Sequence, residues 1–484
     1  MSAPAPAGAK PGARAAHGAR FVDAGSVQPG HPAFGQTLDL SSLAGTLGFR
    51  IDGATLNQTS GRAVAGLGDV NGDGLADILI GAPGDNTNGT YSGAAYVIFG
   101  RSPPVANGIL KLSALSGGNG FKLAGTPAQA QAGRAVAGLG DVNGDGLADF
   151  LIGAPGVSNG NNPYAGAAFV VFGRTGTVGG GVLQLSALNG SNGFRLSGIN
   201  SSDFTGYAVS GLGDVNGDGL ADLLVGAPTP PPPNSRPGMA FVVFGRRTAF
   251  PGGVLQLSAL NGTNGFRLDG EGADDRAGFA VGGLGDVNGD GLADILVGAL
   301  RADPNGGAGA AYVVFGRRAA ISGGVLPLST LNGTNGFRLN GAAANDRAGI
   351  SVSGLGDVNG DGVDDLVVGA HRADANGADS GTAYVVFGRN GLGAGGVLQL
   401  SALAGANGFR LKGASAYDFA GYTVSGLGDV NGDGMDDLLV GAPGRINRNY
   451  AGSAYVVFGR NGLGAGGCWS CPASMARTVF GPTA

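Results

Sequence analysis

The chain has 484 residues, of which 101 glycines and 23 prolines make up about a quarter. Without a repeat, that glycine and proline content would indicate low complexity, but here both residues recur at fixed intervals and are interpreted as turns. The formal net charge is −5, and no basic tail or helix concentrates positive charge, which argues against a nucleic-acid binder.

The two ends of the chain differ from the region between them. Residues 1–33 are rich in Ala, Pro, Gly and Arg and lack the apolar run that a secretory signal needs. No segment reaches the length of a transmembrane span. We expect a disordered lead at residues 1–33, a repeat domain at residues 34–467 and an irregular tail at residues 468–484. In that tail, Cys468 and Cys471 form a single CxxC, which can be a local disulfide, a redox pair or half of a zinc site.

An acidic nine-residue pattern, DVNGDGLAD in its first copy, occurs six times. The copies begin at Asp69, Asp141, Asp214, Asp286, Asp357 and Asp429, at intervals of 72, 73, 72, 71 and 72 residues. Such a regular period indicates one supersecondary unit repeated along the chain.

Each unit contains four strand-like segments. Segments such as RAVAGLG (residues 62–68) carry small side chains, as expected for an inner strand beside a central channel. DILIGAP (residues 77–83) is almost continuously apolar and predicts a strand covered on both faces. The YVVF segments suit packing between sheets, and the GFRL segments alternate apolar and basic residues as an outer strand does.

Six copies of four strands predict an all-β protein, a β-propeller of about six four-stranded blades. The chain enters with an outer-strand segment at residues 38–53, and its last unit ends at Arg460 without an outer strand. We therefore expect the N-terminal outer strand to pair with the last blade. This pairing would close the ring and remove two exposed sheet edges.

The acidic loops offer oxygen ligands at alternate positions around a tight turn, which is what Ca²⁺ prefers. In each loop we expect ligands from the side chains at positions 1, 3, 5 and 9 and from the backbone carbonyl at position 7. The predicted metal ligands are Asp69, Asn71, Asp73, Leu75 and Asp77; Asp141, Asn143, Asp145, Leu147 and Asp149; Asp214, Asn216, Asp218, Leu220 and Asp222; Asp286, Asn288, Asp290, Leu292 and Asp294; Asp357, Asn359, Asp361, Val363 and Asp365; and Asp429, Asn431, Asp433, Met435 and Asp437.

A single such loop could be an ordinary turn with solvated carboxylates, because Asn-Gly and Asp-Gly are strong turn signals. Six loops that each hold three Asp within nine residues, despite their mutual repulsion, favour cation binding at about six sites. Position 12, where an EF-hand has a bidentate Glu, is Ile or Val in every copy. The pattern is therefore not an EF-hand.

The fixed order of acidic loop, Gly-Ala-Pro (residues 81–83 in the first copy) and YVVFG resembles FG-GAP repeat proteins, whose best-known members are the β-propeller heads of integrin α subunits. Leu300 and His371 replace the Pro in the fourth and fifth copies. The resemblance covers about residues 34–467 and implies a calcium-stabilised propeller. Since the integrin head has seven blades, seven blades are the alternative to the six counted here.

The resemblance implies a non-catalytic binding or cell-adhesion module with a protein or glycan ligand on the propeller loops. The alternative is the propeller portion of a phospholipase D-like hydrolase, with no catalytic site of its own. No constellation of catalytic residues is apparent, since the three histidines are scattered and a GxSxG pattern at residues 156–160 is not followed by a helix. We expect a secreted or cell-surface protein, because loops without a twelfth-position carboxylate suit millimolar extracellular calcium.

The cations that end the YVVFGR strands permit two interpretations. They could form a basic ring that attracts acidic glycans or lipids once calcium is bound, or they could pair locally with Asp and carbonyl groups at the strand ends. These residues are Arg101, Arg174, Arg246, Arg317, Arg389 and Arg460.

Overall fold

The computed structural model describes residues 48–102, 105–229, 236–248, 250–302, 306–444, 452–461, 463 and 469–470. These residues form 30 strands, nine short 3₁₀ turns and no α-helix. Within the same ranges, no helix is long and apolar enough to span a membrane. The predicted lead at residues 1–33 lies outside the described residues, and Trp469 and Ser470 are the described part of the predicted tail.

The strands form six sheets in chain order, here called blades one to six, and one two-stranded sheet. Blade one contains β2 (Ala63–Gly68), β3 (Asp77–Ala82), β4 (Ala94–Ile98), β6 (Gly120–Ala124) and β10 (Val182–Gln184). Blade two contains β7 (Val136–Gly140), β8 (Asp149–Ala154), β9 (Ala167–Val171), β11 (Gly193–Ser197) and β15 (Val254–Gln256). Blade three contains β12 (Ala208–Gly213), β13 (Asp222–Ala227), β14 (Met239–Val243), β16 (Gly265–Asp269) and β20 (Val325–Pro327).

Blade four contains β17 (Ala277–Gly285), β18 (Asp294–Ala299), β19 (Ala310–Val314), β21 (Gly336–Asn340) and β25 (Val397–Gln399). Blade five contains β22 (Ser351–Gly356), β23 (Asp365–Ala370), β24 (Thr382–Val386), β26 (Gly408–Lys412) and β30 (Trp469–Ser470). Blade six contains β27 (Thr423–Gly428), β28 (Asp437–Ala442) and β29 (Ser453–Val457). The two-stranded sheet pairs β1 (Arg50–Asp52) with β5 (Ile109–Lys111).

The 3₁₀ turns flank the short strands of the connecting segments. They span Ala106–Gly108, Leu112–Ala114, Gly179–Gly181, Leu185–Ala187, Pro251–Gly253, Leu257–Ala259, Ser322–Gly324, Leu328–Thr330 and Leu400–Ala402.

The four predicted strands of each unit are confirmed as an antiparallel run of neighbours in blades one to five. In blade one, for example, β2, β3, β4 and β6 pair in that order. Five such units followed by the three-stranded sheet of blade six are consistent with a six-bladed β-propeller. Blades one to five also each have a fifth short strand that the sequence did not lead us to expect. It comes from the linker of the next unit and pairs parallel to the outer strand, as β10 does with β6.

The hydrophobic core lies between blades rather than inside them. Phe121 and Leu123 of blade one pack with Phe150, Ile152 and Phe169 of blade two in one cluster, and these five side chains are at most 3% exposed. Equivalent clusters join blades two and three, three and four, four and five, and five and six. Each blade is therefore stabilised by the apolar surface that it buries against its neighbours.

Glycine permits the close approach of neighbouring blades. Gly153 in the second strand of blade two lies directly over the start of the inner strand of blade three, so that a Cβ at this position would lie 2.0 Å from the carbonyl oxygen of Gly206. Equivalent contacts occur at Gly81, Gly226 and Gly298. No side chain fits there without moving the blades apart.

The predicted closure of the ring is not observed among the described residues. The N-terminal outer strand β1 pairs with β5, while β27, β28 and β29 form a three-stranded sheet. The side chains Phe49 and Ile51 pack against blade one, on the face that a preceding blade would cover. Among the described residues, β1 and β29 thus belong to different sheets, and no pairing between them is observed.

Candidate metal centres

The six acidic loops occupy the same place in every blade, between the inner strand and the second strand. In blade one the inner strand ends at Gly68 and the second strand begins at Asp77, the ninth loop residue. Gly72 and Gly74 have φ values of 80° and 84°, in the left-handed region where glycine carries no steric cost. The glycines of the pattern therefore create the tight turn that brings the acidic side chains close together.

The first aspartate holds each loop together. Asp69 Oδ1 accepts a hydrogen bond from the Gly72 N–H at 2.6 Å, and its Oδ2 accepts one from the Gly74 N–H at 2.7 Å. The other five loops repeat both contacts. The hydrogen bond from the Gly434 N–H is the main cause of a lowered pKa at Asp429. The charged form of Asp429 is thus favoured by the backbone of its own loop.

The third and fifth residues interact with each other at the exposed tip. In the first loop, Asn71 Nδ2 donates to Asp73 Oδ2 at 2.9 Å, and Asn71 Oδ1 accepts from the Asp73 N–H at 2.8 Å. In the fifth loop, Asn359 Nδ2 instead lies 3.4 Å from Asp365 Oδ1, so the amide bends towards the ninth residue. The tip side chains can therefore interact either with each other or with the buried end of the loop.

The ninth aspartate is buried and joins the loop to its blade. Asp222 is 0% exposed; its Oδ2 accepts from the Val215 N–H at 2.9 Å and its Oδ1 from the Gly245 N–H at 2.8 Å. The five other loops repeat this pair of hydrogen bonds. Burial, assisted by the charges of Asp218 and Asp214, raises the pKa of Asp222 to about 8. A buried carboxylate beside two further carboxylates is an environment in which a cation is favourable.

The loops are also bonded from blade to blade. The carbonyl oxygen of Asp69 accepts from the Ala148 N–H at 3.0 Å in the loop of blade two, and that of Val70 accepts from the Arg174 N–H at 2.8 Å. The loops of blades two to five make the same two contacts with the blade that follows. The acidic loops therefore form a continuous row along one side of the array. No sequence signal predicted this, because every residue other than proline carries both a backbone N–H and a C=O group.

The residues fit a hard cation in their chemistry. Three carboxylates, one amide oxygen and one backbone carbonyl per loop are an all-oxygen donor set, as Ca²⁺ prefers. Their present contacts are to N–H groups, and within the described residues no three Asp, Glu, His or Cys side chains form a group that could hold a metal ion. Which loop atoms bind a metal therefore stays a prediction.

The arginines at the ends of the third strands make mainly local contacts, which favours the second of the two interpretations. Arg101 and Arg317 each donate to a carbonyl oxygen at 3.3 Å, of Asn119 and Asn335 respectively. Arg246 donates to Thr248 Oγ1 and lies over the ring of Phe250, 4.3 Å from its centre.

The repeated blades, each with an acidic loop between its first two strands, place the chain in the class of β-propeller repeat proteins. The FG-GAP repeat family matches residues 60–98, 132–171, 205–243, 277–314, 348–386 and 420–457. The chain is an FG-GAP repeat protein, and its repeats resemble those of the integrin α propeller.

Individual relatives match over part of their length. Phosphatidylinositol-glycan-specific phospholipase D of Homo sapiens is 29% identical over 404 residues, which are 78% of this chain and 42% of that protein. The rat protein of the same name (Rattus norvegicus) is 32% identical over 174 residues, 34% of this chain and 18% of the relative. Integrin alpha-V of Gallus gallus is 29% identical over 244 residues, 49% of this chain and 20% of the integrin. The chain thus spans less than half the length of these relatives.

Proposed function

We propose that this protein is a calcium-stabilised, non-catalytic binding module. The observation that carries the proposal is the row of six acidic loops, five of which are hydrogen-bonded to the next blade. In this proposal, the thirty loop residues predicted above bind about six calcium ions, one in each loop.

Calcium would act on the loops and on the contacts between blades together. Each loop contains at least three carboxylates, and the aspartate at its ninth position is buried. A bound cation therefore removes charge repulsion that otherwise opposes folding. A ligand that binds the folded state alone stabilises it by about 2.7 kcal/mol per site at a hundred times its dissociation constant. Because the loops are bonded in series, this stabilisation extends to the junctions between blades.

Binding of a partner is proposed for the side of the array opposite the acidic loops. The connections from second to third strand and from outer to inner strand emerge there, because antiparallel strands place alternate connections at opposite ends. Loops on a rigid scaffold are the usual location of binding residues. A protein or glycan ligand, in an adhesion-type role, is proposed for these loops, and a secreted or cell-surface location would supply calcium at the millimolar level that such sites suit.

The test is a calcium titration by isothermal calorimetry on metal-free protein, combined with thermal unfolding in calcium and in chelator. We expect about six ions bound per chain and a higher Tm with calcium, since the ion binds the folded loops. Magnesium at the same concentration is the control, because Mg²⁺ is a smaller ion with a stricter octahedral geometry and suits these loops less. An unchanged Tm together with no bound calcium would refute the structural role.

The second candidate is that the chain is the propeller portion of a hydrolase. It is favoured by the match to the human phospholipase D, which covers 78% of this chain. We expect no turnover of ester or phosphodiester substrates by the purified chain. Turnover that follows the protein through purification would refute the non-catalytic assignment.

A further inference from the structure

Blades four and five differ from the others at two loop positions on the side opposite the acidic loops. The first position lies just before the Ala-Gly that leads into the inner strand, and it is Arg276 in blade four and Arg347 in blade five. The second follows Gly-Ala-X at the end of the second strand, and it is Arg301 and Arg372. The other blades have Thr59, Gln131, Phe204 and Phe419 at the first position and Gly84, Gly156, Thr229 and Gly444 at the second.

The backbone places the four arginines close together. The N–H of Arg301 donates to the Asp275 carbonyl at 3.2 Å, and that of Arg372 donates to the Asp346 carbonyl at 3.2 Å, so the two positions are neighbours within each blade. The loop of blade five is held against blade four, because the Ala348 N–H donates to the Ala308 carbonyl at 2.9 Å. The charges of the three other arginines accordingly add to burial in lowering the pKa of Arg347, and Asp379 opposes this shift.

In blade four the two arginines share one carboxylate. Arg301 Nη1 is ion-paired with Asp274 Oδ2, and Arg276 Nε lies 3.6 Å from Asp274 Oδ1. Asp274 thus bridges two guanidinium groups, an arrangement for which arginine is well suited.

Blade five keeps both arginines but lacks this carboxylate. The residue equivalent to Asp274 is Asn345, and both have left-handed backbone, with φ values of 68° and 65°. The neighbouring Asp346 is directed into its own loop, where its Oδ2 accepts from the Ala343 N–H at 3.0 Å. Within the described residues, neither Arg347 nor Arg372 has an ion pair within 4 Å. Asp379 attracts Arg347 without an ion pair within 4 Å, so the two adjacent cations lack the ion-paired carboxylate that blade four provides.

A third polar group in blade five, the imidazole of His371, lacks a hydrogen-bond partner at one of its nitrogens. His371 stands where blade four has Leu300; it is 7% exposed, and its Nδ1 has no hydrogen-bond partner among the described residues. Its ring packs 5.9 Å from that of Phe419 and 5.4 Å from that of Tyr422. Burial, together with Arg347 and Arg372, lowers its pKa to about 4, so the imidazole is neutral near pH 7 and can donate one N–H. A buried polar group without a partner is unfavourable, and an atom of a bound ligand would satisfy it.

We propose that Arg347, Arg372 and His371 form a binding site for a carboxylate, supplied by an acidic side chain of a protein partner. Blade four provides the template, because Asp274 occupies between its two arginines the place that the ligand takes in blade five. The inference rests on the proposed binding function and specifies the chemistry of the partner. A planar carboxylate accepts from two guanidinium groups at once, which gives the site orientation as well as charge.

The probe is a fluorescein-labelled hexapeptide of Asp and Glu, measured by fluorescence anisotropy at low salt and in saturating calcium. We expect one peptide per chain, with affinity that falls as salt increases. The double variant R347A/R372A is expected to weaken binding by about tenfold or more, since hydrogen bonds to charged groups are among the strongest. The control R247A/R318A removes the same charge elsewhere on the chain and is expected to leave binding unchanged.

Two single substitutions add the carboxylate to blade five or remove it from blade four. Asn345→Asp restores in blade five the carboxylate of blade four, so we expect loss of peptide binding without loss of folding, verified by Tm. Asp274→Asn removes the carboxylate of blade four and is expected to raise the stoichiometry from one peptide to two. Retained binding in N345D would overturn the proposal.

The remaining outcomes also decide the question. Equal weakening by R247A/R318A would show non-specific attraction and overturn the site. Arginine-dependent binding of a heparin fragment without binding of the peptide would overturn the carboxylate assignment. No peptide binding by a protein that still binds calcium would refute this inference and leave the calcium-stabilised module intact.

Discussion

Blade three and blade six have nearly the same sequence and different surroundings. The third strand of blade three, β14, is completely buried, with Phe241 and Val242 both 0% exposed. The equivalent strand of blade six, β29, has Val456 49% exposed, and Phe458 just after it is 53% exposed. At the other end of the array, Val64 of blade one is 66% exposed, whereas its equivalent Val352 in blade five is 9% exposed.

The difference shows that burial in this fold is provided by the neighbouring blades and not by the blade itself. The same apolar strand is core when a neighbouring blade covers its face and surface when none does, as expected of repeats that contact mainly their nearest neighbours. Three pairs of substitutions at equivalent positions test this interpretation.

The largest effect is expected for a phenylalanine at the end of the third strand. Phe315 is 8% exposed and packs 5.9 Å from Phe337, so Phe315→Ala is expected to lower the free energy of unfolding by about 3–5 kcal/mol. Phe458→Ala, at the equivalent exposed position, is expected to cost about 1 kcal/mol or less. Chemical denaturation of both variants measures the difference. Equal losses would show that blade six is covered in solution and would remove the contrast.

An intermediate effect is expected in the acidic loops. The loop of blade four is held by the next blade, since the Val287 carbonyl accepts from the Arg389 N–H at 2.9 Å, and such ordering favours binding. Asp290→Asn is therefore expected to remove up to about 2.7 kcal/mol of calcium-dependent stabilisation. Asp433→Asn in blade six is expected to remove less. The measurement is the calcium-induced rise in Tm of each variant, and a larger effect in blade six would contradict the prediction.

An effect of similar or smaller size is expected at the glycine of the second strand. Gly298→Ala places a Cβ 2.3 Å from the Gly349 carbonyl of the next blade, which is expected to cost about 1–3 kcal/mol. In Gly441→Ala the nearest atom is Thr423 Oγ1 of the same blade, at 2.2 Å, and this side chain can rotate away. Thermal unfolding compares the two variants. A similar decrease of Tm in both variants would show that the contact between blades is not the cause of the destabilisation.

Much of the blade could be predicted from the sequence, because its strand and turn signals lie in short segments that occur six times. The apolar run at residues 77–83 and the glycines at positions 4 and 6 of each loop define strands and turns without information about neighbours. The fifth strands were missed because three residues such as Val182–Gln184 become a strand only by pairing with the previous blade. The pairing that would close the ring is not observed among the described residues, and a free strand edge does not by itself specify its partner.

The candidate site likewise has features that the sequence predicts and features that depend on contacts between distant residues. The positions of the loops and the start of the second strand at Asp77 followed from spacing. The burial of the ninth aspartates and their bonds to Gly100 and its equivalents depend on the third strand, which lies more than twenty residues away. The carboxylate missing beside Arg347 became apparent from the contacts of Asp274, because the sequence alone does not show that Asp274 is ion-paired.

The short strand that each linker adds to the previous blade has a consequence for the behaviour of the protein at high concentration. Unpaired outer strands are templates on which chains add to one another and aggregate. In blades one to five the outer strand is already paired along its free edge with a segment of the same chain, as β11 is with β15. A molecule assembled from many separate sheets therefore offers few places where intermolecular strand addition can begin.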